Sequence, residues 1–190
     1  MHRIVNDEAL DTLFRAARSH YAWLARPVSD TMLRALWELV KLGPTSGTGG
    51  PARVLFVRSQ AAKARLGPAV APAQRAAILT APLAVIVGYP LGAGPGSAPG
   101  PAPTAAIGRD RHAAALRDAA LEPAYLIVAC RALGLDCGPV WEFDKALVDA
   151  AFFPEGTVAS HFLCALGHGD ESQLSPNEGQ PGAAEACHIL

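Results

Sequence analysis

The sequence is poor in charged and aromatic residues. Of its 190 residues, 17% are charged and 6% are Phe, Trp or Tyr, whereas 51% are hydrophobic. Soluble domains carry about 25% charged residues, so this chain has more apolar surface to bury than most. A chain of this length can bury a sizeable core in one domain, and self-association would hide the rest. We therefore expect a single domain over residues 1–190 that forms an oligomer.

The sequence also lacks an excess of either charge. Its 16 Lys and Arg residues oppose 17 Asp and Glu residues, for a formal net charge of -1. Such a balance does not attract a polyanion, and it argues against nucleic-acid binding. The densest apolar run, residues 124–130, is far shorter than the about 18 residues of a membrane-spanning helix. Without the apolar stretch of a signal peptide, the sequence predicts a cytoplasmic protein with no membrane partner.

Motifs of several enzyme classes are missing. The chain contains no Gly-x-Ser-x-Gly elbow, no Walker loop and no His-Glu-x-x-His pair. Its glycine clusters at 47–50 and 92–96 lack the preceding strand or the following helix that a dinucleotide fingerprint needs. The cysteines are widely spaced, without a Cys-x-x-Cys pair: Cys130, Cys137, Cys164 and Cys187. We expect no metal site, and we interpret the cysteines as reduced, apolar fillers of the core.

Hydrophobic periodicity predicts a helix-rich α+β domain. The pattern indicates helices at 7–18, from a Ser29 cap to a stop at Gly43, and at 60–66, 72–80, 110–133 and 144–151. It indicates strands at 53–58, 83–87 and 161–166. The second of these strands is apolar throughout, which is typical of the centre of a sheet.

The composition of three further segments predicts their structure. Residues 90–106 are almost entirely Pro, Gly, Ala and Ser, which predicts a flexible surface excursion. The long helix is expected to break or restart at Pro123. Its second half, 124–133, is apolar nearly all round and is expected in a large core or between two subunits. Residues 134–140 are predicted to be a turn-rich connector.

Three segments share an order of residues that points to a family. The first is Arg18-Ser19-His20-Tyr21-Ala22-Trp23 with Pro27-Val28-Ser29, and the second is Gly43-Pro44-Thr45-Ser46 running into Pro51-Ala52-Arg53. The third runs from Ala124 to Asp136 and continues into Gly138-Pro139 and Phe143-Asp144. Together they resemble the nitroreductase family of flavoenzymes, and most closely its malonic semialdehyde reductase branch.

The resemblance implies a fold, a cofactor and a reaction. The fold is a nitroreductase-like sheet sandwiched by helices, in an intertwined homodimer with FMN at the subunit interface. NADH or NADPH reduces the flavin. The implied activity is an NAD(P)H oxidoreductase acting on a small carbonyl, such as a 3-oxo acid or semialdehyde, or on a related biosynthetic intermediate.

The resemblance also assigns site residues by their place in this sequence. His20 and Tyr21 are the candidate catalytic residues, and the backbone amides of Trp141 and Glu142 are expected to face flavin N5 and O4. The full set of expected cofactor contacts is Arg18, Ser19, His20, Pro44, Thr45, Ser46, Thr48, Gly138, Pro139, Val140, Trp141 and Glu142.

Several residues depart from the family pattern at these positions. Tyr21 replaces a basic or amide-bearing side chain, Thr48 replaces a common Asn, and Trp141-Glu142 replaces a small glycine-containing step. The positions where Lys and Arg usually reach the FMN phosphate are Gln173, Asn177 and Gln180. A charge-assisted hydrogen bond is worth about 1.5–3 kcal/mol, so the missing cations leave FMN retention open.

Two alternatives therefore stand beside the flavoenzyme. The first is a nitroreductase-like protein that has lost FMN and binds or transforms a small molecule without redox chemistry. The second is a dimer that only binds a partner, which the apolar excess and low charge would suit.

Overall fold

The computed structural model describes residues 4–44, 52–91, 111–176, 179 and 182–189, and for 111–119 and 183 it describes the backbone alone. The predicted excursion at 90–106 lies outside these ranges except for its first two residues. Pro90 is still the last residue of a strand, so the regular structure extends further than the composition indicated.

The described residues build a four-stranded antiparallel sheet. Its strands are β1 (Arg53–Val57), β2 (Leu83–Pro90), β3 (Asp136–Val140) and β4 (Val158–Gly167), in the order β1-β2-β4-β3. Strand β2 pairs on both sides, and its residues from Leu83 to Tyr89 are buried. The predicted position of this strand at the centre of the sheet is confirmed.

Helices cover both faces of the sheet. They are α1 (Asp7–Leu10, continued by a π-helical turn at Asp11–Arg15), α2 (Asp30–Val40), α3 (Gln60–Leu66), α4 (Pro72–Thr80), α5 (Arg111–Ala132), α6 (Lys145–Phe152) and α7 (Ala183–Ala186). The predicted Ser29 cap is confirmed, because its side chain accepts a hydrogen bond from the Met32 amide at 3.2 Å. Among the helices of the described ranges, none has the length and apolar character to cross a bilayer.

Successive side chains of β2 fill two separate cores. Val85 and Val87 belong to a cluster on the face covered by α2 and α5, which contribute Leu36 and Leu126. Ile86 points to the opposite face, where α3, α4 and α6 supply Leu66, Ile78 and Val148. Because side chains alternate along a strand, a strand that is apolar throughout can hold both layers of helices.

The predicted connector at 134–140 is wrong, since residues 136–140 form the strand β3. The Gly138-Pro139 pair gave the signal of a turn. Proline is compatible with a strand at the edge of a sheet, where no neighbour needs its missing N–H, and β3 is such an edge. Gly138 is required there for another reason: a Cβ on it would lie 2.1 Å from the carbonyl oxygen of His20.

The predicted interruption at Pro123 is also wrong, because α5 continues through it from Arg111 to Ala132. A proline inside a helix costs about 3 kcal/mol. The residues that follow it bury Leu126, Ala129 and Cys130 against the sheet. Burial of side chains of this size contributes enough free energy to offset the proline.

Lys63 is a charged residue buried in the layer of α3 and α4. Its side chain is 3% exposed, and its Nζ donates to the carbonyl oxygens of Leu79, at 3.0 Å, and Ala81. Burial lowers the pKa of the Lys63 ammonium group. Both acceptors lie at the C-terminal end of α4, where carbonyls lack partners within the helix and a cation is favourable.

Replacing Lys63 by methionine is expected to destabilise the protein by about 2 kcal/mol, since the buried Ala81 carbonyl and the partly buried Leu79 carbonyl would lose a charged donor. Chemical denaturation measures this change. Lys41→Met is the matched control, because Lys41 pairs with Glu38 on an exposed helix surface and exposed pairs contribute little. Equal destabilisation by the two substitutions would contradict the assigned role of Lys63.

Two histidines at β4 make stability depend on pH. Burial lowers the pKa of His161, with a smaller effect from Lys145, and burial also lowers the pKa of His168, with a smaller effect from Arg26. Folding therefore favours the neutral rings. As the pH falls below the ordinary value of 6.5, the unfolded chain takes up protons before the folded chain does, and stability is lost.

The double variant His161→Asn, His168→Asn is expected to lose part of the decrease in Tm between pH 7.5 and pH 5. Thermal melts across this range measure it. His188→Asn, at an exposed position near the C-terminus, is the control and should keep the pH dependence of the unmodified protein. An unchanged slope in the double variant would show that other groups cause the acid sensitivity.

Candidate active site at the end of strand β3

The segment after α1 lies directly on β3. Ser19 forms a parallel bridge with Cys137, and the His20 amide donates to the Cys137 carbonyl oxygen at 2.9 Å. The structure thus brings together the first and third of the segments that resemble the nitroreductase family. Arg18 and Tyr21 flank the contact on either side.

His20 is a buried side chain, 5% exposed. Its Nε2 lies 3.6 Å from Asp136 Oδ1, and the other oxygen of Asp136 accepts from the Gly169 amide at 2.8 Å. A Cβ on Gly169 would lie 2.0 Å from His20 Nδ1, so the imidazole packs tightly against a residue that must be glycine. The ring therefore faces Asp136 and Gly169.

Tyr21 is more accessible, with 45% of the residue exposed. Its hydroxyl donates to the carbonyl oxygen of Pro139 at 3.3 Å. Partial burial raises the pKa of Tyr21, and negative charge at Cys164 raises it further, while a hydrogen bond with Trp141 acts in the opposite direction. The phenol is therefore protonated at neutral pH and acts as a hydrogen-bond donor.

Beyond β3 the backbone presents two donors to one point. The amides of Trp141 and Glu142 both donate to Oε1 of Gln74, at 3.3 and 3.4 Å. Two N–H groups that converge on one oxygen form a pocket for a carbonyl oxygen or a developing negative charge. Both Trp141 and Glu142 are exposed, so a ligand can reach this position.

Gln74 was missed by the sequence analysis. It lies in α4, within a helix whose bounds the periodicity predicted, and it belongs to no motif. Pairing between the chain segments explains its position, since the Ala71 amide donates to the Glu142 carbonyl oxygen at 3.2 Å. That contact joins residues about 70 positions apart, and a local pattern carries no signal for it.

The other residues of the third segment offer their backbone to the site. Gly138, Pro139 and Val140 are buried, and the Val140 side chain belongs to the core that α3, α4 and α6 cover. A cavity of about 350 Å³ lies beside the Glu142 end of this segment, and Arg75 is part of its lining. Across the described ranges, no group of three or more potential ligands could hold a metal ion.

Arg18 lies beside the C-terminal segment. Its guanidinium donates to the carbonyl oxygen of Ser175. Gln173, one of the positions where a cation was missing, is exposed in the turn at Glu171–Gln173. Residues 171–176 contain no Lys or Arg, and Arg18 brings a cation to this segment.

Part of the expected site falls outside the described residues. Pro44 is described and exposed. Five other expected positions lie beyond the described ranges: Thr45, Ser46, Thr48, Asn177 and Gln180.

Three of the cysteines form a cluster under β3. Cys130, Cys137 and Cys164 are buried in the same core, as predicted, whereas Cys187 is exposed. Hydrogen bonds from the Cys130 and Cys164 thiols lower the pKa of Cys137. The hydrogen bond with Cys137 raises the pKa of Cys130, and burial raises the pKa of Cys164.

Comparisons with known proteins agree on one family. The model of the Nitroreductase family matches residues 14–168. The chain is 42% identical over 196 residues to a Polynucleobacter asymbioticus protein provisionally named NADH dehydrogenase/NAD(P)H nitroreductase, with 100% of both chains covered. It is 44% identical to HadB of Ralstonia pickettii, which carries the same provisional name, over 95% of this chain and 97% of that one.

Solved structures share the fold at low sequence identity. A Bacillus subtilis protein provisionally named nitroreductase ydfN superposes with a TM-score of 0.78 at 15% identity, covering 97% of this chain and 100% of that chain. An Exiguobacterium sibiricum protein provisionally named a nitroreductase, solved in complex with FMN, has a TM-score of 0.77 at 18% identity, with 100% of both chains covered. The α+β sandwich is thus confirmed, and the chain belongs to the Nitroreductase family as one of its oxidoreductases.

Proposed function

We propose that the protein is an FMN-dependent oxidoreductase that uses NADH or NADPH. The observation that carries the proposal is the pair of amides at Trp141 and Glu142, which converge on a single oxygen at 3.3 and 3.4 Å. The carbonyl edge of an isoalloxazine accepts hydrogen bonds of this kind, so the residues present fit FMN. The names of the relatives and the FMN in the E. sibiricum structure support the assignment.

FMN, when bound, would supply the hydride chemistry, as flavin cofactors do. The protein would bind and orient it. The amides of Trp141 and Glu142 would face the N5 and O4 edge and stabilise negative charge there, because fixed donors need no rearrangement as charge develops. Gln74 would lie at the same edge, where its carboxamide offers one acceptor and two donors.

Arg18 and Ser19 are proposed to hold the phosphate. Arg18 already lies against the C-terminal segment, and Ser19 is exposed beside it. Tyr21 is the proposed proton donor to the substrate, since its hydroxyl is protonated and partly accessible. His20 is proposed to position this segment through Asp136 and Gly169. The remaining proposed contacts to the flavin are Pro44, Thr45, Ser46, Thr48, Gly138, Pro139 and Val140.

The proposed substrate is a small carbonyl compound of the 3-oxo acid or semialdehyde type. The resemblance to the malonic semialdehyde reductase branch supports this choice. Consumption of NAD(P)H with malonic semialdehyde, compared with a nitroaromatic compound, tests it. A protein that reduces only the nitroaromatic compound would contradict the substrate class and leave the FMN-dependent reaction in place.

A homodimer is part of the proposal. Helix α5 exposes Leu121 and Tyr125 by 43% and 42%, and Leu42 after α2 is 72% exposed. Neighbouring apolar surface of this kind is typical of an interface between subunits. Light scattering coupled to size-exclusion chromatography tests the expected mass of two chains, and a monomer at micromolar concentration would contradict it.

The purified protein is expected to be yellow, with a flavin absorption spectrum, or to quench FMN fluorescence and gain thermal stability when FMN is added. Arg18→Ala is expected to weaken FMN binding about tenfold or more, because a cation at the phosphate is lost. Arg34→Ala, on the exposed surface of α2, is the matched control. A colourless protein with neither response would refute the proposed function.

Gln74→Ala is expected to weaken FMN binding about tenfold, through the loss of side-chain hydrogen bonds at the pyrimidine edge. Fluorescence titration with FMN measures the change. Gln60→Ala removes an equal side chain from an exposed position on α3 and should leave the affinity unchanged. Tighter binding by Gln74→Ala would show that the carboxamide blocks the two amides in the absence of FMN.

One observation favours the FMN-free alternative. The C-terminal segment 171–176 carries no cation, and the amides of Trp141 and Glu142 already have an acceptor in Gln74. A protein of that kind would bind or transform a small molecule at the same surface. The spectrum of the freshly purified protein, with a subsequent FMN titration, separates the two functions.

A further inference from the structure

The cavity of about 350 Å³ lies between the start of α4 and the segment that follows β3. Residues 68–72 and 142–144 form its wall, and Arg75 of α4 completes the lining. Cavities of roughly 300–1,000 Å³ hold small molecules in other proteins. This one adjoins the flavin edge of the proposed function, because Glu142 belongs to its lining and donates its amide to Gln74 at that edge.

Backbone contacts hold the wall of the cavity in place. The amide of Ala71 donates to the carbonyl oxygen of Glu142 at 3.2 Å. Beside this bond, Val70 forms an antiparallel bridge with Phe143. The two halves of the wall are therefore joined before a ligand arrives, and a ligand has little structure to order when it binds.

Among the described residues of this lining, Arg75 is the basic one. Its Nη2 donates to the carbonyl oxygen of Val70 at 3.1 Å, which holds the guanidinium against the wall. Its Nε–H group is buried and has no acceptor within the described part of the chain. A buried donor without an acceptor costs free energy, and a bound ligand can supply one. A guanidinium has five N–H donors in one plane, and they match the two oxygens of a carboxylate.

The lining also contains two carboxylates, whose charge a bound acid has to tolerate. Asp144 accepts from the Leu147 amide at 3.1 Å, so the positive end of α6 offsets its charge. Glu142 is exposed, and water and salt screen its charge. Neither of these described carboxylates forms an ion pair with Arg75. The charge of Arg75 is therefore available to a ligand.

We propose that Arg75 binds the carboxylate of the substrate and so selects acids over uncharged carbonyl compounds. The inference rests on the proposed function, since it places the substrate beside the flavin edge at Glu142. A short oxo acid held by its carboxylate keeps its carbonyl group free to lie toward that edge. Holding one end of the substrate also orients the other, which raises the rate of the reaction at the carbonyl group.

The first test compares the reduction of malonic semialdehyde with that of propanal, in which a methyl group replaces the carboxylate. Arg75→Gln is expected to raise the KM for malonic semialdehyde about tenfold or more and to leave kcat/KM for propanal unchanged. Arg75→Lys keeps the charge without the planar fork, so its KM should lie between the two. Arg34→Gln removes an equal charge from the exposed surface of α2 and is the matched control.

The second test measures binding without catalysis. Its probe is 3-hydroxypropionate, the alcohol that reduction of malonic semialdehyde would give, and saturation-transfer NMR detects its binding. The unmodified protein and Arg34→Gln are expected to bind it, whereas Arg75→Gln is expected to lose most of the signal. Thermal melts show whether each variant folds. If Arg75→Gln fails to fold, Arg75→Lys decides, because it retains a donor for the Val70 carbonyl.

Four results would overturn the proposal. The first two concern the probe: equal binding by Arg75→Gln and the unmodified protein, or no binding by the unmodified protein. The third is an equal rise of the KM for propanal in Arg75→Gln, which would indicate a distorted site. The fourth is a weakened use of NADPH relative to NADH with an unchanged KM for malonic semialdehyde, which would assign Arg75 to the additional phosphate of NADPH.

Failure of the proposed function would give a different set of results. An unmodified protein that does not bind FMN, or that reduces neither aldehyde, would contradict the reaction or its substrate class. The NMR comparison needs neither flavin nor turnover, so it would still show whether Arg75 binds a carboxylate.

Discussion

The close approach of the His20 backbone to β3 is the constraint on which the site depends. The His20 amide bonds to Cys137, and its carbonyl oxygen lies so near Gly138 that no side chain fits between them. This contact fixes Arg18 on one side and Tyr21 on the other. Gly169 packs against the His20 imidazole. Gly138 and Gly169 together therefore determine how closely the segment 18–21 approaches the sheet.

The sheet supplies the rigid base for this contact. Because β2 is buried on both faces and β4 also sends side chains to both, each layer of helices has its own core on the same sheet. The candidate site lies at the β3 edge of the sheet, opposite β1. There β3 pairs with β4 on one side and with the segment of Ser19 on the other. Rigid elements thus support a site whose polar groups come mainly from backbone amides.

Local pattern was sufficient for the elements that pack by periodicity. The helices at 60–66 and 72–80 and the buried strand at the centre of the sheet follow from spacing and composition alone. The strand β3 was missed because Gly138-Pro139 carries the composition of a turn, and its conformation depends on pairing with β4. Pro123 was misjudged because the core contacts of α5 outweigh a local preference.

The candidate site was accessible to sequence reasoning in part. The order of the three segments indicated the family, whereas the strand that precedes Trp141 and Glu142 was predicted as a turn-rich connector. Gln74 was not found, since its contact is with a residue about 70 positions away. Such contacts are set by tertiary pairing, and one sequence contains no periodic signal for them.

The edge position of β3 has a consequence for how the protein behaves at high concentration. Open sheet edges attract the strands of other molecules and so promote aggregation. Here the outer side of β3 carries a proline without an N–H group, and the backbone of the Ser19 segment already occupies part of it. The contact that assembles the site therefore also protects this border of the sheet against unwanted strand addition.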